Sequence, residues 1–385
     1  MKQTETLVIG ASISGLASAC CLQKHGIDYI VIEKQSQVAA PWRNHYDRLH
    51  LHTNKRISSL PYKKFDDSVP RYPSRQQVID YLEDYQREFK IHPIFHTEAK
   101  SIRKEGDYWI TETNQETFRS KFVIMATGAF GKPKPVSFKG IEKYTGKTMH
   151  SHQYKAGKDF KRQKVLIVGF GNSACEIALD LYEQGAIPFI SVRSPVNIIP
   201  RDILGIPILE LSLLLSHLSP RIADTVTAPL VRLLFGDITK LGLKKLPYGP
   251  FEQIKKNRKI PVLDIGVIKH IRKGHITIYG DIDNINDKTV YFSGGKQEDF
   301  NVIVAAVGYF NNYAEIIDIE KTRLEDLKER IDKQKYFGKD GLYFCGSWIG
   351  PTGQIREISS DAKKIARDIA KKKLAILVRF KKTVT

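Results

Sequence analysis

A chain of 385 residues is long for a single core, so two domains, or one domain with a large insertion, are expected. Its 42% hydrophobic and 27% charged content are those of an ordinary globular protein, and the formal net charge of +19 favours anionic partners: nucleotide phosphates, acidic substrates or an anionic membrane surface. Nucleic acid is set aside, because Lys and Arg are spread along the chain and no helix-turn-helix, zinc-finger or RNP pattern is present.

The first element is the apolar strand Leu7-Val8-Ile9, which enters the turn Gly10 to Gly15 with no signal-peptide core ahead of it. A helix over Leu16 to Lys24 and a strand Tyr29-Ile30-Val31-Ile32 follow, closed by Glu33. Strand, Gly-rich turn, helix, strand and acid in this order make a βαβ unit for a dinucleotide. Gly10 makes the tight turn and Gly15 lets helix and strand pack closely. The helix N-terminus offers free N–H groups to a pyrophosphate. Ser12 stands where the usual Gly-x-Gly-x-x-Gly has its second glycine, and adds a small side chain at the closest approach. Glu33 can accept from both ribose hydroxyls and would repel a 2′-phosphate, so this first nucleotide is FAD or NAD. Phe122 to Gly128 is a buried-type strand ending in glycine. The contacts to this first nucleotide are assigned to Gly10, Ser12, Ile13, Ser14, Gly15, Glu33, Lys34, Trp42, Thr127 and Gly128.

A second fingerprint follows the strand Lys164 to Val168. It reads Gly169-Phe170-Gly171-Asn172-Ser173-Ala174 and opens a helix through Tyr182. The next strand, Phe189 to Val192, ends in Arg193, where the first unit has Glu33. A guanidinium fork matches a 2′-phosphate, so this nucleotide is NADPH. Its contacts are assigned to Gly169, Gly171, Asn172, Ser173, Ala174, Arg193 and Ser194.

Residues 203–236 form an apolar insertion that Pro207, Pro220 and Pro229 are expected to break into short helices. It reads as a substrate cover or membrane-contact surface, against extra core or a dimer face. Val302 to Tyr309 is another apolar run ending in glycine, taken with Phe122 to Gly128 as a chain crossing between domains. Gly308, Tyr309 and Gly346 complete the cofactor set, Gly346 ending a strand from Gly341 that leads to a helix near Ile355 to Lys371. The basic and apolar tail 371–382 suits either a docked final helix or an anionic membrane. No apolar run reaches the roughly 18 to 20 residues of a membrane span. Cys20, Cys21, Cys175 and Cys345 have neither disulfide-framework nor metal spacing; they read as buried thiols of a cytoplasmic protein, and no metal site is expected.

The linker Tyr144-Thr145-Gly146-Lys147-Thr148-Met149-His150-Ser151-His152-Gln153-Tyr154 resembles the fingerprint F-x-G-x-x-x-H-x-x-x-[F/Y] of the flavin-containing monooxygenases, with Tyr144 for the opening Phe. "YDRLHLH" (46–52), "RYPSRQQVIDYLE" (71–83), "PRDILG" (200–205), "GLKKLPYGP" (242–250) and "PVLDIG" (261–266) resemble the YUCCA branch, whose members oxidatively decarboxylate indole-3-pyruvate. The resemblance spans about residues 5 to 370, and departs at Ser12, at Val307 and at 52–55; Ser347 stands where two-dinucleotide flavoenzymes often have an Asp at the ribityl chain. It implies two dinucleotide-binding, Rossmann-like α/β domains. The FAD domain is split between 1–155 and 305–385, with the NADPH domain, 156–304, inserted. It also implies an NADPH- and oxygen-dependent monooxygenase in which a flavin C4a-(hydro)peroxide oxygenates a small organic substrate. Asn54, Asn172 and Ser173 are the candidates to donate hydrogen bonds at the reacting centre; for Asn54, a turn or helix-cap role stands as the alternative. An N-, S- or Baeyer–Villiger-type oxygenase is the runner-up, and a non-oxygenating NADPH-flavin oxidoreductase or oxidase the outside reading. A disulfide reductase lacks its cysteine pair. Peripheral membrane contact and the choice between monomer and homodimer stay open.

Overall fold

Strand β1 (Lys2–Ile9) is buried from Thr6 to Ile9, which suits the centre of a parallel sheet. Helix α1 (Ile13–Lys24), β2 (Tyr29–Ile32) and α2 (Arg75–Glu88) follow. A capping box opens α2: the Ser74 side chain accepts from Gln77 N–H while the Gln77 side chain accepts from Ser74 N–H. Its apolar face buries Val78, Ile79, Leu82 and Tyr85 at helical spacing. Then come β3 (Ala99–Glu105), β4 (Tyr108–Thr113) and β5 (Thr117–Met125). The described residues are 1–129, 131–215, 217–257, 259–310, 313–318, 338–347, 350 and 352–383 of this computed structural model.

The first of two compact units comprises Met1–Arg43, Asn54–Lys132 and Phe310–Thr385. Its sheet runs β2-β1-β5-β4-β3, with β2, β1 and β5 parallel. The early part of β5 pairs antiparallel with β4, while Val123–Met125 pairs in parallel with the strand Leu342–Phe344. The C-terminal helix Gln354–Thr383 packs on α1 and extends well past the expected end at Lys371. The part of the tail beyond Ala375 that was read as amphipathic lies outside the described side chains.

The second unit, Asn44–Thr53 with Pro133–Tyr309, holds β6 (Lys147–His150), β7 (Lys164–Val168), α3 (Asn172–Glu183) and β8 (Ile187–Ser191). It continues with α4 (Ile208–Leu215), α5 (Pro220–Phe235), β9 (Thr277–Tyr279) and β10 (Val302–Ala305). Its all-parallel sheet is ordered β9-β8-β7-β10-β6. The run Val302 to Tyr309 thus supplies an interior strand of this sheet, and at its end, Tyr309, the chain leaves the unit for the first one. The unit begins at Pro133 rather than at 156 because β6 pairs with β10, about 150 residues later in the chain. A small antiparallel sheet, Ile282–Asp299, buries Ile285, Val290 and Phe292 with Leu166, Val168 and Ile303.

The insertion forms the hairpin Asp202–Pro207, α4 and α5. Pro220 takes the first turn of α5 behind the Ser219 cap, but Pro229 lies inside the helix on its exposed face and does not end it. Loss of one backbone hydrogen bond is the local cost. Of α5, Ala223 and Phe235 are buried while Ile222, Val226 and Leu233 are exposed, so the insertion is only in small part core. Among the described residues no helix is long and apolar enough to cross a membrane.

Candidate functional site

Two loops occupy matching places at the carboxyl ends of parallel strands in the two sheets. In the first unit, Gly10 has φ +108°, its N–H donates to Ile32 O at 2.8 Å, and a Cβ there would stand 2.8 Å from Ala126 O beyond β5. In the second, Gly169 has φ +113°, its N–H donates to Ser191 O at 3.0 Å, and a Cβ would stand 2.6 Å from Ala306 O beyond β10. Each loop thus sits between two adjacent strand ends, where open α/β sheets bind ligands.

Their helices begin alike. Ser12 and Gly171 are the caps of α1 and α3, both in extended backbone, and neither makes a side-chain capping bond. No acid stands in either first turn, so the N–H groups and dipole there suit a pyrophosphate. Ser12 needs no glycine conformation, and a Cβ built at Gly171 meets nothing within 4 Å. Gly15 is different. A Cβ there would stand 1.8 Å from Gly10 O, so this position requires glycine. Gly346 closes the same cluster, since a Cβ on it would approach Ser14 Oγ to 2.3 Å.

Glu33 is buried, and backbone donors aim its carboxylate at the first loop: Ala11 N–H donates to Oε2 at 2.8 Å and Gln35 N–H to Oε1 at 3.0 Å. A carboxylate has further acceptor sites on both oxygens, which ribose hydroxyls fill and a phosphate cannot. Lys34 follows with its side chain exposed, and Trp42 is half-buried in the short helix Ala40–Asn44. Thr127 is exposed beyond β5; Gly128 O accepts from the Tyr313 hydroxyl at 2.8 Å, and Tyr313 also bonds Ser347. Ser347, read as the departure at the ribityl contact, is therefore engaged with a tyrosine.

In the second unit Arg193 and Ser194 are exposed just past β8. The chain then turns back: Val196 N–H donates to Lys244 O at 2.8 Å, and Leu246 N–H donates to Val196 O at 3.4 Å. The "GLKKLPYGP" stretch is thereby laid beside the Arg193 turn, bringing exposed Lys244 and Lys245 near it. Sequence reasoning quoted that stretch without giving it a task.

Of the three residues expected to donate at the reacting centre, Asn54 and Asn172 each have the side-chain oxygen committed. Asn54 is buried and its Oδ1 accepts from Arg56 N–H at 3.0 Å, capping the turn Lys55–Ile57, so the helix-cap alternative describes its oxygen. Asn172 Oδ1 accepts from Leu263 N–H at 2.8 Å and ties α3 to the strand Val262–Asp264. The Asn172 bond leaves that residue's amide NH2 as the outer end of its side chain. Ser173 stands in the first turn of α3, three residues ahead of Glu176, whose Oε2 accepts from the Tyr46 hydroxyl at 2.5 Å.

The eleven-residue fingerprint is structural throughout. Tyr144 donates to Phe300 O at 3.0 Å, and a Cβ on Gly146 would fall 2.4 Å from the Tyr144 hydroxyl. His150 Nδ1 accepts from His152 N–H at 3.2 Å, which assigns the proton to Nε2 and makes it the donor to Gly308 O at 3.1 Å. Burial holds this imidazole below its ordinary range. The motif histidine thus fixes the Gly308 turn, and its ring meets Tyr309 edge-on at 5.3 Å. Tyr154 is buried, its hydroxyl donating to Asp180 Oδ2 at 2.6 Å beside the Gly157 N–H at 2.8 Å. Tyr154→Phe should cost about 1–2 kcal/mol through the lost bond to a carboxylate. Melting should fall by roughly 3–6 °C with flavin content unchanged; an unaltered melting temperature would remove this role.

All four cysteines are free and buried. Burial raises every one of the thiols, Cys21 to about 12, so none is poised as a thiolate for disulfide exchange. Among the described residues no group of three or more His, Cys, Asp or Glu could hold a metal ion.

A family model described as pyridine nucleotide-disulphide oxidoreductase matches residues 7–196. Indole-3-pyruvate monooxygenase YUCCA6 of Arabidopsis thaliana is 36% identical over 382 residues, covering 96% of this chain and 90% of its own. A flavin-containing monooxygenase structure from Stenotrophomonas maltophilia superposes with a TM-score of 0.71 at 16% identity, covering 96% of this chain and 98% of that one. A structure of OTEMO in complex with FAD and NADP gives 0.72 at 16% identity, over 96% and 86%. The two structures share the fold.

Proposed function

The chain belongs to the YUCCA branch of the flavin-containing monooxygenases, NADPH- and oxygen-dependent FAD enzymes, and from that premise we propose that it oxidatively decarboxylates an aromatic 2-oxo acid of the indole-3-pyruvate class. In the balanced reaction the 2-oxo acid, O2, NADPH and a proton give the acid one carbon shorter, CO2, NADP+ and water. The observation carrying this reading is 36% identity to an indole-3-pyruvate monooxygenase across 96% of the chain.

FAD, when bound, supplies hydride acceptance and oxygen activation, which no side chain can. The protein's own residues bind and orient. Gly10 to Gly15 and the start of α1 take the FAD pyrophosphate, with Glu33 accepting from the ribose hydroxyls. Gly169 to Ala174 take the NADPH pyrophosphate, and Arg193, helped by Lys244 and Lys245, pairs with the 2′-phosphate. Asn172 presents an amide N–H donor held in one orientation by its bonded oxygen, and Asn54 stands as the second candidate at the reacting centre. Four free, buried cysteines support a reducing compartment, the cytosol.

The test is product analysis with indole-3-pyruvate, phenylpyruvate and a thioether side by side, with NADPH and oxygen consumption followed. One CO2 and one indole-3-acetate per NADPH are expected from indole-3-pyruvate. Thioether oxidation without decarboxylation would move the enzyme to the soft-nucleophile class. Hydrogen peroxide equal to NADPH in every arm would make it an oxidase.

A further inference from the structure

Among the described residues fourteen large hydrophobic side chains are exposed, and seven of them fall within the insertion 203–236. On α5 they form a stripe. Ile222, Val226 and Leu233 are 52%, 61% and 81% exposed, and with exposed Pro229 they follow spacings of four, three and four. At the pitch of an α-helix these four positions lie within a sector of about 60°. Ala223 and Phe235, the buried positions of α5, fall outside that sector. An apolar stripe this regular, turned to water over three turns, marks a contact surface.

Its surroundings are basic. Arg221 and Arg232 are exposed on one side of the stripe, about 100° round the helix from it. The acid of α5, Asp224, is turned inward. Its oxygens accept from Phe251 N–H and Glu252 N–H, each at 2.9 Å, at the start of the helix Pro250–Asn257. That helix packs on α5 and adds exposed Lys255 and Lys256, while its Glu252 is shared between Lys256 at 2.8 Å and Arg221 at 3.7 Å. Residues 220–259 carry nine Lys and Arg against three Asp and Glu, or seven against three once Lys244 and Lys245 are left to the nucleotide.

Two features choose the occupant. A second copy docked through this face would set the patch against its own image, bringing the exposed cations together as water leaves. Pro229 also has no N–H for the carbonyl of exposed Thr225, which a dry protein interface would bury unpaired. A layer of lipid headgroups has neither defect. Water stays at the carbonyl, and anionic phosphates meet the cations.

We propose that α5 lies along an anionic lipid surface, with Ile222, Val226, Pro229 and Leu233 entering the boundary between headgroups and acyl chains. Arg221 and Arg232 reach back from the same helix to the lipid phosphates. The contact is peripheral and reversible, and does not depend on which 2-oxo acid the enzyme takes.

The experiment floats the FAD-loaded full chain with vesicles of phosphatidylcholine, alone or with about 30% phosphatidylglycerol, at about 0.1 and 0.5 M salt. Partition onto the anionic vesicles should exceed that onto phosphatidylcholine by about tenfold or more, and fall several-fold at the higher salt. The triple variant Ile222→Ser, Val226→Ser, Leu233→Ser should lose about tenfold in partition. Its melting temperature, and its KM for the 2-oxo acid without vesicles, should stay those of the wild type. Arg221→Gln with Arg232→Gln should lose about tenfold on anionic vesicles and nothing on phosphatidylcholine. Wild-type protein left free of anionic vesicles overturns the proposal, as does a triple variant that binds as wild type does. A raised KM for the 2-oxo acid in the triple variant overturns it in favour of a substrate cover. A dimer by light scattering that the triple variant turns into monomer overturns it in favour of a subunit interface. Should the triple variant misfold, Leu233→Ser alone, at the most exposed of the three positions, decides, with about a threefold loss of partition expected.

Discussion

Arg193→Ala raises the KM for NADPH by about 10- to 100-fold and leaves the KM for NADH within about twofold. The range follows from one charge-assisted bond to a phosphate, worth about 1.5–3 kcal/mol. Arg193 is exposed on a turn whose return limb, Val196, is pinned between Lys244 and Leu246, so the guanidinium projects from a fixed backbone. Exposed Lys244 and Lys245 put the outcome in the lower part of the range, since they retain part of the field on a 2′-phosphate. The same exposure makes the effect salt-dependent: at about 0.5 M salt the difference should shrink, because charges this accessible are screened. Lys245→Ala should act in the same direction and less strongly, a lysine being a point charge without the planar fork. Equal changes in KM for the two nucleotides would sink the 2′-phosphate role.

That prediction was legible before any fold was known, because it depends on local order: strand, loop, helix, strand, charge. Glu33 and Arg193 are each a few tens of residues from their loops, and the βαβ geometry alone brings them there. What was illegible depends on distant pairing. Nothing in the periodicity of Lys147–His150 shows that it will pair with Val302–Ala305, so the second unit starts earlier than the linker pattern implies. Nothing local marks Asn44–Thr53 as part of that unit either. Its membership rests on Tyr46 and His52 meeting a carboxylate more than 120 residues away. Asn54 shows the opposite case. Its capping bond reaches only to Arg56, and the cap was among the readings its local sequence allowed.

Gly15→Ala yields protein with less than about a tenth of its flavin. The added methyl would stand 1.8 Å from Gly10 O, inside any real contact. Gly10 cannot yield: its positive φ, its bond to Ile32 O and its approach to Ala126 O fix it from three sides. Helix α1 must therefore move away from the strand by more than an ångström. Its first-turn N–H groups, which are the pyrophosphate donors, go with it. Overpacking of this kind costs about 1–3 kcal/mol in stability, so the apoprotein still folds while the ligand site is displaced. Ala174 occupies the matching place in the second loop, buried and accommodated, so an alanine is not forbidden by the motif but by this particular approach of helix to strand. Ser12→Gly is the control within the same loop. Ser12 is in extended backbone and makes no capping bond, so its side chain is neither a conformational nor a capping requirement, and the variant should keep its flavin. Flavin absorbance per protein in the purified variants, with FAD titrated back into the Gly15→Ala apoprotein, reads the result. Full flavin content in Gly15→Ala would mean that the first fingerprint does not hold the FAD pyrophosphate.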